Sequence, residues 1–395
     1  MPTNATGRAP YRPPDPLTAK LDPMMSRIER FWLRVSDGLK ADQLWKQFQT
    51  DARASYRLYS ADVDLTPEAG VPKWKHYLRL AGKFFWAVME KLSPARRVLL
   101  LVALIFLFAP TQNSWPNDTG TTLLRFDAHF WGAGLLFLLL ILEVSDRVVM
   151  KRDLQIAKEI QTWLLPANPP AIPGLEIAFA TRPANTVAGD YYDVFPRASS
   201  DGNPQKYLIA VADVAGKSIP AALLMATVQA SLKTLASTPL NVEELVGRMN
   251  QYACTNSQEG RRFTTAFVAE FDPHSRTLTY VNAGHNPPIL RRTSGAIERL
   301  ERGGIPLGIL EAPPYASASV SLAPGDWVVM FSDGVVEAEN ARKEEFGEDR
   351  LLYRIHTGCA LSPAALLQSI MSDVDTFVGS APQHDDVTCM LLKSV

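Results

Sequence analysis

Four short acidic segments hold the residue types that could do chemistry: Gly189-Asp190, Ala212-Asp213-Val214-Ala215-Gly216, Ser332-Asp333-Gly334 and Asp385-Asp386-Val387-Thr388. Each sits at the end of an apolar run or in a turn, beside small residues. Taken singly, each reads as a turn aspartate, because Asp and Gly are ordinary turn residues. As a set they ask for more. Several carboxylates at strand ends repel one another unless cations neutralise them, and an all-oxygen donor set selects hard ions such as Mg²⁺ or Mn²⁺. Two such ions close together hold a water, lower its pKa and clamp phosphate oxygens.

Competing chemistries fail on particular residues. Gly216-Lys217-Ser218 follows a strand pattern and opens a helical one, as a phosphate-binding P-loop does, but the glycine required five residues earlier is Val211. Gly216-Lys217-Ser218-Ile219-Pro220 is no nucleophile elbow, since its last position is proline. The six histidines are scattered without a His-Glu-x-x-His pair, which removes a zinc hydrolase. Three distant cysteines, Cys254, Cys359 and Cys389, form neither a disulfide framework nor a zinc ribbon and suit a reducing compartment.

The segments that must position these carboxylates read mainly as strands. Leu175–Ala180, Tyr207–Val214, Thr264–Phe271, Thr277–Asn282, Ala316–Leu322, Trp327–Phe331 and Val387–Leu392 have strand patterning. Ile219–Leu235, Val242–Asn256, Asp349–His356 and Pro363–Val378 have helical patterning. Strands come in groups with helix pairs between and after them. The fold class expected is α+β, an antiparallel β-sandwich flanked by helices, over residues 167–395.

The front of the chain differs in charge. Of 395 residues, 40 are Lys or Arg and 41 Asp or Glu, and a formal charge of −1 argues against a nucleic-acid partner. Residues 1–97 hold 17 basic and 10 acidic side chains and the remainder 23 and 31, so a basic front suits anionic lipid and an acidic back suits divalent cations. Residues 1–23 read as a disordered leader and 24–94 as a helical cytoplasmic region. Two apolar runs, Val98–Pro110 and Phe130–Leu142, carried by the expected spans 95–117 and 126–145, have basic flanks at Lys91, Arg96, Arg97, Arg147, Lys151 and Arg152. The positive-inside rule makes them a membrane hairpin with both termini in the cytoplasm, placing the protein in the inner membrane as a multi-pass chain. Residues 146–166 form a linker helix. Its stripe Met150, Leu154, Ala157 and Leu164, with Gln161 at the missing position, suits either a parallel coiled coil in a homodimer or a helix docked on the next domain.

In order along residues 153–395, the motifs resemble the metal-dependent protein phosphatase (PPM) family in its bacterial SpoIIE-like and RsbU-like branch. They are Ala157-Lys158-Glu159-Ile160-Gln161-Thr162-Trp163-Leu164-Leu165-Pro166, Val187-Ala188-Gly189-Asp190-Tyr191-Tyr192-Asp193, the Ala212–Leu223 segment, Asn282-Ala283-Gly284-His285-Asn286-Pro287-Pro288, Gly304-Ile305-Pro306-Leu307-Gly308, Pro324-Gly325-Asp326, Phe331–Ala338 and Asp385-Asp386-Val387-Thr388. The resemblance implies two divalent cations, Mn or Mg, held by Asp190, Asp213, the Val214 carbonyl, Asp333 and one of Asp385 and Asp386. Asp213 would bridge the ions, and Asp385 is preferred because it takes the first position of its motif. His285 reads either as a turn residue or as a direct catalyst, and Lys217 either as a solvated loop cation or as a phosphate contact. Two positions depart from the pattern: Ala188 and Ser218 stand where the branch commonly has glycine. No counterpart of the phosphate-binding arginine of the eukaryotic enzymes is evident.

The function expected is therefore a membrane-anchored serine/threonine phosphatase, in which a metal-bridging hydroxide attacks the phosphorus of a phosphorylated regulatory protein. The resemblance suggests an anti-sigma-factor antagonist as that protein. The rival readings are an inactive membrane sensor or scaffold that only binds partners, and a two-metal hydrolase of another phosphoester.

Overall fold

Pro94 sets the start of the first complete helix, because a fixed φ and a missing N–H cost nothing at the first helical position. This helix, α1 (Pro94–Phe108), stops where Ala109 turns extended (φ −66°, ψ 147°) ahead of Pro110, as a residue before proline prefers. The computed structural model describes residues 79, 82–83, 85–87, 89–109, 113–116, 122–126, 128–197, 206–255 and 262–395. The expected leader and nearly all of the 24–94 region lie outside the described residues.

The chain divides into two units, residues 1–144 and 145–395. In the first, α1 is followed by an antiparallel hairpin of β1 (Asn113–Pro116) and β2 (Thr122–Phe126). The helix α2 (Ala128–Leu164) then begins and runs into the second unit. Arg96 pairs with Glu143 at 3.3 Å, and Ala103 is fully buried beside Gly132, so α1 lies alongside the first half of α2. Ile105, Phe108, Phe130, Phe137 and Leu140 project outward from this pair. The expected segment 95–117 thus holds a 15-residue helix and then a strand, and the expected segments 126–145 and 146–166 share one uninterrupted helix. Among the described residues, Ser218–Ala236 is long and apolar enough to cross a membrane, yet its Ala221, Met225, Leu232 and Ala236 are buried in the second unit's core.

The second unit is a sandwich. One sheet contains β4 (Tyr191–Pro196), β5 (Tyr207–Val214), β6 (Thr264–Asp272), β7 (Thr277–Ala283), β10 (Gly303–Gly304) and β11 (Ala318–Ser321). The other contains β3 (Leu175–Arg182), β8 (Ile289–Arg291), β9 (Ile297–Arg299), β12 (Trp327–Phe331) and β13 (Val387–Ser394). Strand periodicity explains the layers. On β5, Ile209 and Val211 meet Val328, Met330 and Met390 between the sheets, while Leu208, Ala210 and Val214 meet the helices α3 (Ser218–Ala236) and α4 (Val242–Thr255). On β12, Val329 and Phe331 face the opposite way and pack on α6 (Glu348–Thr357) and α7 (Pro363–Val378). The short α5 (Asp333–Val336) follows β12 directly.

Helix, sheet, sheet, helix is the architecture the patterning predicts. One pairing departs from the antiparallel rule: β10 runs parallel to β7. The sequence reading missed β4, β8, β9 and β10. Three of these have only two or three residues, and β4 carries Asp193 inside an otherwise apolar strand, which hides its period.

Asn282, at the end of β7, ties the inner turn. Its Nδ2 donates to the His285 and Leu300 carbonyls (3.0 and 3.2 Å) and its Oδ1 accepts from the His285 N–H (2.7 Å), all out of solvent. Asn282→Ala leaves these backbone groups unpaired, and a loss of about 1–3 kcal/mol is expected. The check is a lower urea midpoint with an unchanged slope.

Candidate metal centre

Register brings the four acidic segments together. On antiparallel β4 and β5, Tyr191 lies opposite Ala212, so Asp190 and Asp213 mark the same end of that sheet. On antiparallel β12 and β13, Phe331 lies opposite Cys389, so Asp333 stands beside the residues that open β13. Asp213 shares the parity of Ile209 and Val211 and therefore faces the gap between the sheets. The two sheet ends coincide. Asp213 feels the charges of Asp333, Asp385 and Asp386, and Asp190 feels those of Asp213 and Asp386.

Local bonds hold each carboxylate in place. Ser332 Oγ donates to the Asp386 carbonyl and accepts from the Thr388 N–H, both at 3.0 Å, which locks the start of β13 to the end of β12. Gly334 continues this close packing, since a Cβ there would lie 2.1 Å from the Asp386 carbonyl oxygen. The Asp386 carboxylate accepts from the Ala184 N–H (2.7 Å) and the Gly189 N–H (2.6 Å), and so clamps the loop between β3 and β4. Asp385 is more open. One of its oxygens accepts from the Asp386 N–H (2.9 Å) and the other faces Lys217 Nζ at 3.0 Å. Lys217 also donates to the His384 carbonyl. The two neighbouring aspartates thus divide: Asp386 faces backbone amides, and Asp385 faces a cleft of ≈ 630 Å³ lined by Arg182, Lys217, Glu337, Lys343, His384 and Asp385.

The electrostatics call for cations. Burial and the charge of Asp213 hold Asp190 well above the usual carboxylate range, against the opposing hydrogen bonds of Thr388 and Ser332. Burial, then Asp333, Asp385 and Asp386, push Asp213 up to about 7. Burial and Asp385 raise Asp333, and burial raises Asp386 against the N–H groups of Ala184 and Gly189. Asp190 Oδ2 is buried with no hydrogen-bond partner. Among the described residues no three His, Cys, Asp or Glu side chains close around one point as ligands. The donor set nevertheless fits hard divalent ions: it is all oxygen, mutually repelling, and holds one orphaned oxygen.

His285 is fully internal. Its Nδ1 lies 3.0 Å from Thr265 Oγ1, and burial lowers it to about 4, so the ring is neutral at ordinary pH. It packs the turn, and through Thr265, the cross-strand partner of Asp213, it supports β5. Ser218, one of the two departures from the glycine pattern, has φ 65°, a left-handed conformation that glycine adopts without strain. Sequence reasoning missed the hydroxyl pair Ser332 and Thr388. It also missed Asp193, which is buried and accepts from Tyr191 OH (2.9 Å) and Lys233 Nζ (2.8 Å), tying β4 to α3. Its place inside the Gly-Asp-Tyr-Tyr-Asp run was the available signal.

The family description "Stage II sporulation protein E (SpoIIE)" matches residues 203–394. The C-terminal domain is similar to the SpoIIE family of PP2C-type phosphatase domains. The chain is 29% identical over 247 residues to the phosphoserine phosphatase RsbU of Bacillus subtilis, covering 62% of this chain and 70% of that one. It is 26% identical over 190 residues to the phosphoserine phosphatase RsbP of the same organism, covering 47% of this chain and 46% of that one, so it spans under half of RsbP. Among solved structures, the SiaA-PP2C domain of Pseudomonas aeruginosa superposes with a TM-score of 0.54 at 20% identity, covering 63% of this chain and 99% of that domain. That likeness is one of fold.

The raised carboxylates make a pH prediction for the metal-free SpoIIE-type domain within the full chain. Asp213 binds its proton up to about 7 when folded and only to about 3.8 in its ordinary state. The folded state therefore holds the extra proton across that window, and its stability falls as pH rises through it. The denaturation midpoint of the Asp213→Asn variant, measured from about pH 4.5 to about pH 7.5, should lack this downward contribution. Identical pH slopes in variant and parent would contradict the arrangement.

Proposed function

We propose that the chain is a membrane-anchored, metal-dependent protein serine/threonine phosphatase that removes phosphate from serine or threonine of a regulatory protein. One observation carries this reading. Carboxylates from four separate segments of both sheets meet at one end of the sandwich, at the edge of a cleft large enough for a side chain and its flanking peptide. The similarity to RsbU and RsbP, both phosphoserine phosphatases, supports the substrate class. An anti-sigma-factor antagonist of a partner-switching pathway is the partner we favour.

In this reading Asp190, Asp213, Asp333 and Asp385, with the Val214 carbonyl, hold two Mn²⁺ or Mg²⁺ ions. When bound, such ions lower the pKa of a water and neutralise phosphoryl oxygens. Asp213, which feels the other carboxylates most widely, lies between the two halves of the site. Asp385 serves as a ligand because it faces the cleft, and Asp386 because of its backbone bonds serves as the clamp of the Asp190 loop. Lys217 stands at the cleft edge beside Asp385, where its charge would receive a phosphate dianion. His285, neutral and enclosed, moves no proton to substrate and keeps the turn.

Full-length protein should release phosphate from a phosphoserine peptide when Mn²⁺ is supplied, and Asp333→Asn should lower turnover ~100-fold or more, at least the upper end of what losing an outer-shell partner costs. Turnover near that of the parent at saturating metal would sink the ligand assignment. Release from a nucleotide alone would favour the other-phosphoester reading, and release from neither would favour the scaffold.

Membrane anchoring belongs to the same proposal. The outward Ile105, Phe108, Phe130, Phe137 and Leu140 on α1 and α2, and the basic residues at both flanks, support a hairpin with the termini and the phosphatase domain in the cytoplasm. Extraction of the full chain should require detergent, and recovery in a high-salt wash would refute the hairpin.

A further inference from the structure

Gln161 lies one turn before the end of α2 and is 7% exposed, although its neighbours Ile160 and Thr162 are on the surface. Both ends of its amide are used. Nε2 donates to the Ala188 carbonyl at 2.7 Å, and Oε1 accepts from the Ala188 N–H at 2.9 Å. The side chain therefore pairs with Ala188 as a neighbouring strand would, at a residue outside both sheets. Glutamine suits the task, since its amide repeats the donor and acceptor of a peptide group.

Ala188 sits one residue before the clamped Gly189 and two before Asp190. Gly189 donates to Asp386 and packs so closely on the next segment that a Cβ would lie 3.2 Å from the Val214 carbonyl oxygen and 3.3 Å from Ala221 Cβ. The loop is thus held from two sides, by Asp386 and the end of β5 on one and by α2 on the other. Four residues beyond Gln161, Leu165 packs against both the inter-sheet core and the core beneath α3 and α4. The end of α2 is therefore seated on the domain, and Gln161 is carried at a fixed angle from that seat.

We propose that Gln161 is a positioning residue of the metal centre: it couples the seating of the linker helix to the placement of Asp190 and Val214, and so sets how tightly the site holds its cations. The proposal rests on the metal-dependent reading above. A helix turned by one residue rotates its faces by about 100°, which would carry the Gln161 amide away from Ala188. Release would leave both Ala188 backbone groups buried and unpaired, so the loop would have to move. Helix α2 needs no contact with a substrate or an ion to act in this way.

The test uses the full chain in detergent micelles, with Gln161→Met, which keeps the volume and removes both bonds, and Gln161→Leu as the second variant. Amide hydrogen exchange of the metal-free protein should show faster exchange at Ala188 and Gly189, while the β5 and β6 amides stay as in the parent. Mn²⁺ binding followed by calorimetry should weaken by about 10–100-fold, as for a lost outer-shell partner. Turnover at saturating Mn²⁺ should recover to near that of the parent, because no catalytic group has been removed. Unchanged exchange at Ala188 together with unchanged Mn²⁺ affinity in the folded variant overturns the proposal, as does lost turnover that saturating metal does not restore. If Ala188 exchange responds but Mn²⁺ binds neither parent nor variant, the metal-dependent reading fails and the coupling of helix to loop stands alone.

Discussion

The structure of the C-terminal domain turns on a repulsion. Asp190, Asp213, Asp333, Asp385 and Asp386 are gathered at one end of the sandwich, and burial with the neighbouring charges holds Asp190, Asp213, Asp333 and Asp386 above the usual carboxylate range. Left alone, such a cluster would splay or take up protons. Every nearby device acts against that outcome. The Ser332 hydroxyl ties the two strand ends, backbone N–H groups hold Asp386, and the Lys217 ammonium faces Asp385. These bonds keep the carboxylates in place without satisfying them all, and Asp190 Oδ2 remains without a partner. A site built this way is predisposed to divalent cations, because they supply the charge that the protein's own groups supply only in part.

The sandwich makes the gathering feasible. β5 and β12 lie inside their sheets, and each is buried on both faces, so a one-residue slip would exchange the side chains fitted between the sheets with those fitted against the helices. Register then places the residue after each buried run with the same precision as the run itself. Asp213 falls near the end of β5, and Asp333 two residues past β12. The cores on either side do not touch the chemistry, yet they determine where the carboxylates stand.

Much of this was legible in the sequence, for physical reasons that differ from element to element. The long buried strands Tyr207–Val214, Thr264–Asp272 and Val387–Ser394 are built around apolar stretches, and the helix Pro363–Val378 announces itself with a Ser362 cap and proline. The acidic segments were legible because carboxylates beside small residues recur at the ends of such runs. β4 was not, since Asp193 interrupts its apolar pattern, and only the fold shows that Lys233 and Tyr191 OH satisfy that charge. The difference between Asp385 and Asp386 was also out of reach. Two adjacent aspartates look alike until one is seen among backbone amides and the other at a cleft.

Helix α2 shows the same limit most clearly. Its apolar residues allow two uses, and periodicity cannot choose between them, because a helix docked on its own domain and a helix paired with a second chain bury the same kind of stripe. In the fold, Met150 at the head of the stripe is exposed, Leu154, Ala157 and Leu164 are half-buried and Gln161 is buried against Ala188, so the last turns of the stripe face the chain's own domain. Ile156, Ile160 and Trp163 form a second set at four- and three-residue spacing, and all three are exposed. The polar residue in the apolar stripe, which from sequence looks like a flaw in a seam, marks where the helix grips the loop that carries Asp190.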